Sequence, residues 1–310
     1  MRATRLRRTA GVVLSALALG CLPACTAADA PPRPATSPAP SSSAPTVHRV
    51  ALHGAVNVRD LGGYRTADGH HVRYGRVFRA DGLGKLAPAD RTKLAALGLR
   101  TVVDFRIPAE TARDGADRLP RGLTLASRPV DDSGLNDTTN RALAAKDPAT
   151  QRKLLGGGRA ARLMRATYRS FVTDPDTRRQ FAATVRDIAA GKGTRTPLLF
   201  HCTAGKDRTG WLSYVLLRAV GVPEAAATRD FLRSNGYREQ ADDRTRAGLK
   251  KAGLMQDPDL LTPLLEVRED YLQAALDQVE QDYGSLDGYL TDGLGLHAST
   301  LAGLRARLVK

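Results

Sequence analysis

The stretch Leu198-Leu199-Phe200-His201-Cys202-Thr203-Ala204-Gly205-Lys206-Asp207-Arg208-Thr209-Gly210 constrains the fold of this chain more than any other. An apolar run ends in a cysteine, five residues follow, an arginine closes the loop, and Trp211 to Val220 continues with helical spacing. The pattern predicts a strand, a tight loop and a helix in succession. A loop entering a helix turns several unpaired backbone N–H groups inward, which makes an anion cradle assisted by the helix dipole. Gly205 lets the backbone approach closely. The same field suits Cys202 as a nucleophilic thiolate, and Arg208 offers a planar fork for two phosphate oxygens.

A bare C-x5-R spacing arises often by chance, but here it comes with its strand, its glycine and its helix. With His201 before it and Thr209 after, it resembles the signature of the cysteine-dependent phosphatases. The fuller string HCTAGKDRTG resembles that of the bacterial atypical tyrosine phosphatase family. The likeness extends to Asn57-Val58-Arg59-Asp60-Leu61-Gly62-Gly63-Tyr64, to Arg76 through Asp81, and to Asp104-Phe105-Arg106 with Glu110. Arg233-Ser234-Asn235, Val267 through Tyr271 and Tyr283 through Leu286 carry it across most of the globular region. The resemblance implies phosphomonoester hydrolysis through a phosphocysteine intermediate. Cys202 would attack phosphorus, while Arg208 and the N–H groups of Thr203, Ala204, Gly205, Lys206 and their neighbours hold the oxygens and offset the repulsion of like charges. Thr209 would hydrogen-bond the sulfur. Reading Cys202 as a buried inert thiol leaves Arg208 unexplained. No Cys/His metal spacing is present, and neither metal nor cofactor is expected.

A carboxylic acid must protonate the leaving oxygen, and two candidates stand out. Asp207, in the loop beside Arg208, is favoured because it needs no large movement, and also by the resemblance. Asp131, in the polar loop Asp131-Asp132-Ser133-Gly134, is the alternative. Asn57 and Asp60 read as residues that fix loops. Phosphotyrosine in protein is the first substrate class. A phosphoinositide is the second, with Lys206 either on its extra phosphate or a solvated rim residue. A reading from another class is a surface lipoprotein that binds phosphorylated ligands without turnover, although such modules usually lose the nucleophile or the fork. The formal charge of +15 would steer anionic partners. Its basic residues are scattered without aromatic interleaving, which argues against nucleic acid.

Residues 1–25 have a basic start, an apolar run from Gly11 to Gly20 and small residues after it, the form of an export signal. Leu22-Pro23-Ala24-Cys25 resembles a lipoprotein processing site, with Cys25 becoming the lipidated first residue and Cys21 the competing choice. Cleavage near Ala28 to Ala30 would instead release a soluble secreted protein. Residues 26–46, rich in Pro, Ala and Ser, read as an extended tether. Residues 47–310 read as one catalytic domain that keeps only Cys202 and so has no internal disulfide. It is expected at the outer face of the cell membrane, or fully secreted.

The expected fold is α/β, a short and mainly parallel sheet flanked by helices, with a helix-rich carboxy-terminal part. Strands are predicted at Val77 to Ala80, Leu99 to Phe105, Leu123 to Val130 and before Cys202. Helices are predicted at Leu86 to Leu97, Ala160 to Val172, Thr177 to Ala190 and behind the loop. Beyond Pro223, helices are predicted at Glu224 to Arg233, Tyr237 to Lys251, Pro263 to Tyr283 and Leu301 to Leu308. By the resemblance, Glu239 to Leu260 would correspond to a lid, with a plain hairpin as the alternative. If Cys25 is lipidated, the mature protein partitions into a detergent phase and a Cys21→Ala, Cys25→Ala double variant does not. Equal partition of the two would favour secretion.

Overall fold

The computed structural model describes residues 48–190 and 195–310. The expected export signal, both amino-terminal cysteines and the tether lie outside the described residues. Strand β1 (Arg59–Asp60) runs antiparallel to β2 (Val77–Ala80). Helix α1 (Pro88–Ala96) leads to β3 (Thr101–Asp104), α2 (Pro108–Asp114) and β4 (Thr124–Ser127). Helices α3 (Leu135–Ala145), α4 (Pro148–Leu155), α5 (Arg159–Thr173) and α6 (Pro175–Ala189) precede β5 (Leu198–His201). The sheet order is β1-β2-β5-β3-β4, and β5 is parallel to both neighbours. Cys202 therefore leaves the carboxyl end of the central strand, where α/β sheets place their ligands.

Parallel strands covered on both faces read as near-continuous apolar runs, and β2, β3 and β5 are buried at every position, Arg79, Thr101, Asp104 and His201 being their polar residues. The period of two sorts their side chains. Phe78, Ala80, Val102 and Leu199 join a small core with Leu94 of α1, while Val77, Val103, Leu198 and Phe200 face the larger core. There Phe105 meets Phe181 edge to face, and Tyr168 packs against Phe231 and Tyr271. Only the edge strand β4 departs from this, with Leu125 49% exposed.

Local signals set several helix ends. Pro148 and Pro175 occupy first turns, and the Asp147 and Asp174 side chains accept from the Thr150 and Thr177 N–H groups at 2.7 and 2.6 Å. Gly98, with φ +64°, follows α1 in a conformation that other residues resist.

Beyond the loop, α7 (Arg208–Ala219) is followed by α8 (Glu224–Lys251), one helix of 28 residues where two are predicted. Residues 234–236, left between the two predicted helices, continue the helix, and the Ser234 and Asn235 side chains find tertiary partners. Ser234 Oγ accepts from Arg59 and Arg79, and Asn235 pairs with the Val267 backbone in both directions at 2.8 Å. The single helix predicted from Pro263 to Tyr283 is divided. A 3-10 turn (Pro258–Leu261) and α9 (Thr262–Leu265) end before α10 (Glu269–Tyr283). Asn235 on Val267 and Lys206 on the Glu266 carbonyl take backbone groups that a continuous helix would need. The chain closes with α11 (Leu286–Gly288), a π turn (Tyr289–Gly293) and α12 (Ala298–Leu308). No helix among the described residues is long and apolar enough to cross a membrane.

A Cβ at Gly236 would meet nothing within 4 Å. Inside a continuous helix, Gly236→Ala therefore stabilises the protein by about 0.5–1 kcal/mol. Urea denaturation would show this, whereas a turn at residues 234–236 predicts a loss.

Candidate active site

The loop after β5 is shaped by where its carbonyl groups go. Gly205 has φ +64°, and a Cβ there would lie 2.3 Å from the Ala80 carbonyl oxygen. No other residue fits. The Thr203 carbonyl accepts from Gly82 N–H at 3.1 Å, and the Ala204 carbonyl from Asn57 Nδ2 and Arg238 Nη1 at 3.3 and 3.2 Å. The Gly205 carbonyl accepts from Asn57 Nδ2 at 2.9 Å and Arg79 Nη2 at 2.7 Å. With three consecutive carbonyls held from outside, the loop is fixed by groups remote in sequence.

Those groups are themselves held. Arg59 Nη1 donates to Asn57 Oδ1 at 2.5 Å. Asp230 of α8 accepts from Arg59 Nε at 2.9 Å, Arg79 Nη1 at 2.7 Å and the Tyr64 hydroxyl at 2.9 Å. Burial alone would raise the Asp230 pKa, but Arg59 and Arg79 reverse this and hold the carboxyl well below its usual range. Asn57 thus fixes a loop as expected. Asp60 does the same nearby, accepting from Gly62 and Gly75 N–H groups.

Arg208 opens α7 and meets Glu110 end to end. Its Nη1 lies 2.6 Å from Oε2 and its Nη2 2.5 Å from Oε1, and Nη1 also donates to the Phe105 and Val130 carbonyls. Glu110 reaches this place because it is the third residue of α2, with Oε2 capping Ile107 N–H at 2.9 Å and Oε1 accepting from the Thr203 hydroxyl at 2.6 Å. Burial would raise its pKa, and the Arg208 guanidinium more than cancels this, holding it at about 2. The same pairing raises the pKa of Arg208 despite its burial. Beside the loop, His201 Nε2 sits 2.7 Å from Asp117 Oδ2. Asp104, Asp117 and His201 are spaced closely enough for a metal, but Arg106 Nη2 lies 2.8 Å from each carboxylate and already supplies the positive charge.

A cleft of about 850 Å³ opens above the loop. Cys202, Thr203, Ala204, Lys206, Asp207 and Arg208 line it, while Gly205 and Thr209 lie behind. The second half of α8 and the turn into α9, including much of the segment expected as a lid, form one wall through Ala241, Leu249 and Leu261. Helix α3 contributes Leu135 and Leu143.

Several expected roles change. Thr209 Oγ1 is buried without a hydrogen-bond partner, so the expected bond to the Cys202 sulfur is not made. Lys206 is not a solvated rim residue. Its side chain is 3% exposed, and Nζ lies 2.8 Å from both Asp207 oxygens and donates to Glu266 O. Asp207 also accepts from the Tyr168 hydroxyl at 2.9 Å. Asp131 is exposed, outside the cleft lining, with Oδ1 on Ser133 N–H, while its neighbour Asp132 lines the cleft. Residue-level reading missed Glu110, Arg79, Asp132 and Asp230 as parts of the site. Glu110 had a local signal, an acid at the third position of a Pro-initiated helix; Arg79 lay in a family-like stretch and Asp132 in the polar loop named for Asp131, and Asp230 had none.

Because the folded Glu110 pKa is about 2 and the unfolded one about 4.3, its contribution to stability is full above the unfolded value and lost as pH falls through the folded one. Glu110→Gln should destabilise the protein at pH 7 by about 3 kcal/mol, because it leaves Arg208 without its partner. The difference from wild type should narrow as denaturation is repeated down to about pH 2. It should also lower kcat/KM.

The profile of the tyrosine phosphatase family matches residues 50–310. A Cupriavidus necator protein, named provisionally as a tyrosine-protein phosphatase, is 36% identical over 256 residues, covering 83% of this chain and 88% of its own. The triple specificity protein phosphatase PtpB of Mycobacterium tuberculosis is 33% identical over 279 residues, covering 83% of this chain and 98% of its own. Among solved structures, Pseudomonas aeruginosa TpbA in complex with phosphotyrosine aligns over 77% of this chain and 98% of its own at 16% identity. Its TM-score of 0.27 is too low to carry a residue correspondence. The family match spans every strand and helix described above, and the chain belongs to the tyrosine phosphatase family.

Proposed function

We propose that the protein hydrolyses phosphotyrosine in proteins through a phosphocysteine intermediate. The observation that carries this reading is the orientation of Arg208. Glu110 takes the two terminal nitrogens of its guanidinium, while Nε has no partner among the described residues, which leaves that edge for a phosphate oxygen. Cys202 lies in the same cleft lining, under a loop whose outward carbonyls are all engaged. The Sγ–P bond forms as the P–O bond breaks, the leaving oxygen takes a proton from a cleft carboxyl, and water then cleaves the phosphocysteine to release phosphate. The loop N–H groups and Arg208 stabilise the charge on the transferring group.

The cleft has room for an aryl phosphate and the residues beside it. A second phosphate seated on Lys206, as expected for a phosphoinositide, would have to break the Lys206–Asp207 pair, so that lysine gives no support to the phosphoinositide reading and phosphotyrosine is kept as the substrate. A binding module without turnover would have no need of both nucleophile and fork. The export-signal pattern and the Pro-rich stretch in residues 1–46 support an activity outside the cytoplasm, on a lipid anchor at Cys25 or in solution.

Cys202→Ser should abolish turnover of a phosphotyrosine peptide while keeping inorganic phosphate binding in titration calorimetry, since backbone and Arg208 hold the anion. Activity within about tenfold of wild type would refute the covalent mechanism. Arg208→Lys should be severely impaired, because a point charge replaces neither the fork nor its pairing with Glu110.

A further inference from the structure

We propose that Asp132 is the carboxylic acid that protonates the leaving oxygen, a role that rests on the phosphatase reading above. Asp132 lines the cleft that contains Cys202 and Arg208, two residues beyond the Val130 carbonyl that accepts from Arg208. One of its oxygens is fixed, since Oδ2 accepts from Asn136 N–H at 2.9 Å. The backbone is pinned too, its carbonyl accepting from Leu135 N–H and the Thr167 hydroxyl. The other oxygen, Oδ1, accepts no hydrogen bond among the described residues. A carboxyl anchored by one oxygen and open at the other is placed to hand over a proton.

The other acids of the cleft are committed: Glu110 to Arg208, Asp114 to Arg113, and both oxygens of Asp81 to the Val56 and Asn57 N–H groups. Lys206 Nζ lies on both oxygens of Asp207, and Tyr168 donates to one of them, so Asp207 reads as the lock that ties the loop to α5 and to the α9–α10 connection. Asp131 turns back onto Ser133 outside the cleft.

The surroundings of Asp132 also raise its pKa above the usual carboxylate value, the direction a proton donor needs. Burial raises its pKa, and the charges of Glu110 on α2 and of adjacent Asp131 add to this, against the Asn136 N–H bond and the charge of Arg208 on α7, which lower it without reversing the shift. Arg113 on α2 is a second cation in its neighbourhood, while α3 and α5 face it with the uncharged Asn136 and Thr167. A dianionic substrate on Arg208 would offset that cation and favour the protonated acid further. As the P–O bond breaks, the Asp132 proton passes to the tyrosyl oxygen. The carboxylate left behind then accepts a proton from the water that cleaves the phosphocysteine.

The test compares wild type, Asp132→Asn and Asp207→Asn on a phosphotyrosine peptide and on p-nitrophenyl phosphate, whose leaving group needs little protonation. Asn at 132 retains an acceptor for Asn136 N–H but has no proton to give. Asp132→Asn should lose about 100-fold or more in kcat/KM on the peptide, less than about tenfold on the activated ester, and the basic limb of the peptide's pH profile. Asp207→Asn should fall about equally on both esters, as expected of a damaged loop. Equal losses for Asp132→Asn with an unmoved pH profile would make it only the residue that steadies α3, and would overturn the assignment. So would leaving-group dependence in Asp207→Asn instead. If Cys202→Ser turns over either ester like wild type, it is the phosphocysteine reading that fails, whatever Asp132 does.

Discussion

A loop that points its N–H groups at an anion must point its carbonyls away from it, and those carbonyls need donors. In this protein the donors are Gly82 N–H, Asn57, Arg79 and Arg238, acting on Thr203, Ala204 and Gly205. Arg79, and Arg59 behind Asn57, are buried for this purpose and require a counter-charge, which Asp230 supplies from α8. The ion cluster is thus the cost of the cradle. Arg59, Arg79 and Asp230 are each at most 1% exposed, and in a buried cluster the cost of desolvation offsets much of the attraction, while removal of one member leaves an uncompensated charge.

The same logic explains the fork. An unpaired guanidinium beside Cys202 would be costly to bury, and one paired at every nitrogen would have no edge left for an anion. Glu110 resolves this by binding Arg208 end to end. It reaches that position because Pro108 starts α2 immediately after the β3 connection.

Sequence reading recovered those features whose causes are local. The run Leu198 to His201, the loop and the helix after it could be placed because the apolar period, the glycine and the cysteine–arginine spacing lie within a few residues. The α/β class followed from the alternation of strands and helices. The continuity of α8 was not legible, because Ser234-Asn235-Gly236 is turn-like until Arg59, Arg79 and Val267 arrive from elsewhere to occupy its polar groups. Asp230 carries no local mark at all, since the arginines it serves lie about 150 to 170 residues away. The distinction between Asp131 and Asp132 depends on which of two adjacent side chains turns inward, and that is settled by the start of α3 and by Thr167 of α5.

The dependence of the loop on Asp230 has a consequence for how the chain comes into being. Cys202 and Arg208 emerge during synthesis before α8 exists, and at that stage the groups that aim the carbonyls outward have no counter-charge to assemble around. A nascent, truncated or partly unfolded chain therefore carries the full signature string without a working cradle. On the reading proposed above, catalytic competence would appear only once α8 has docked, so activity would report on the docking of that helix.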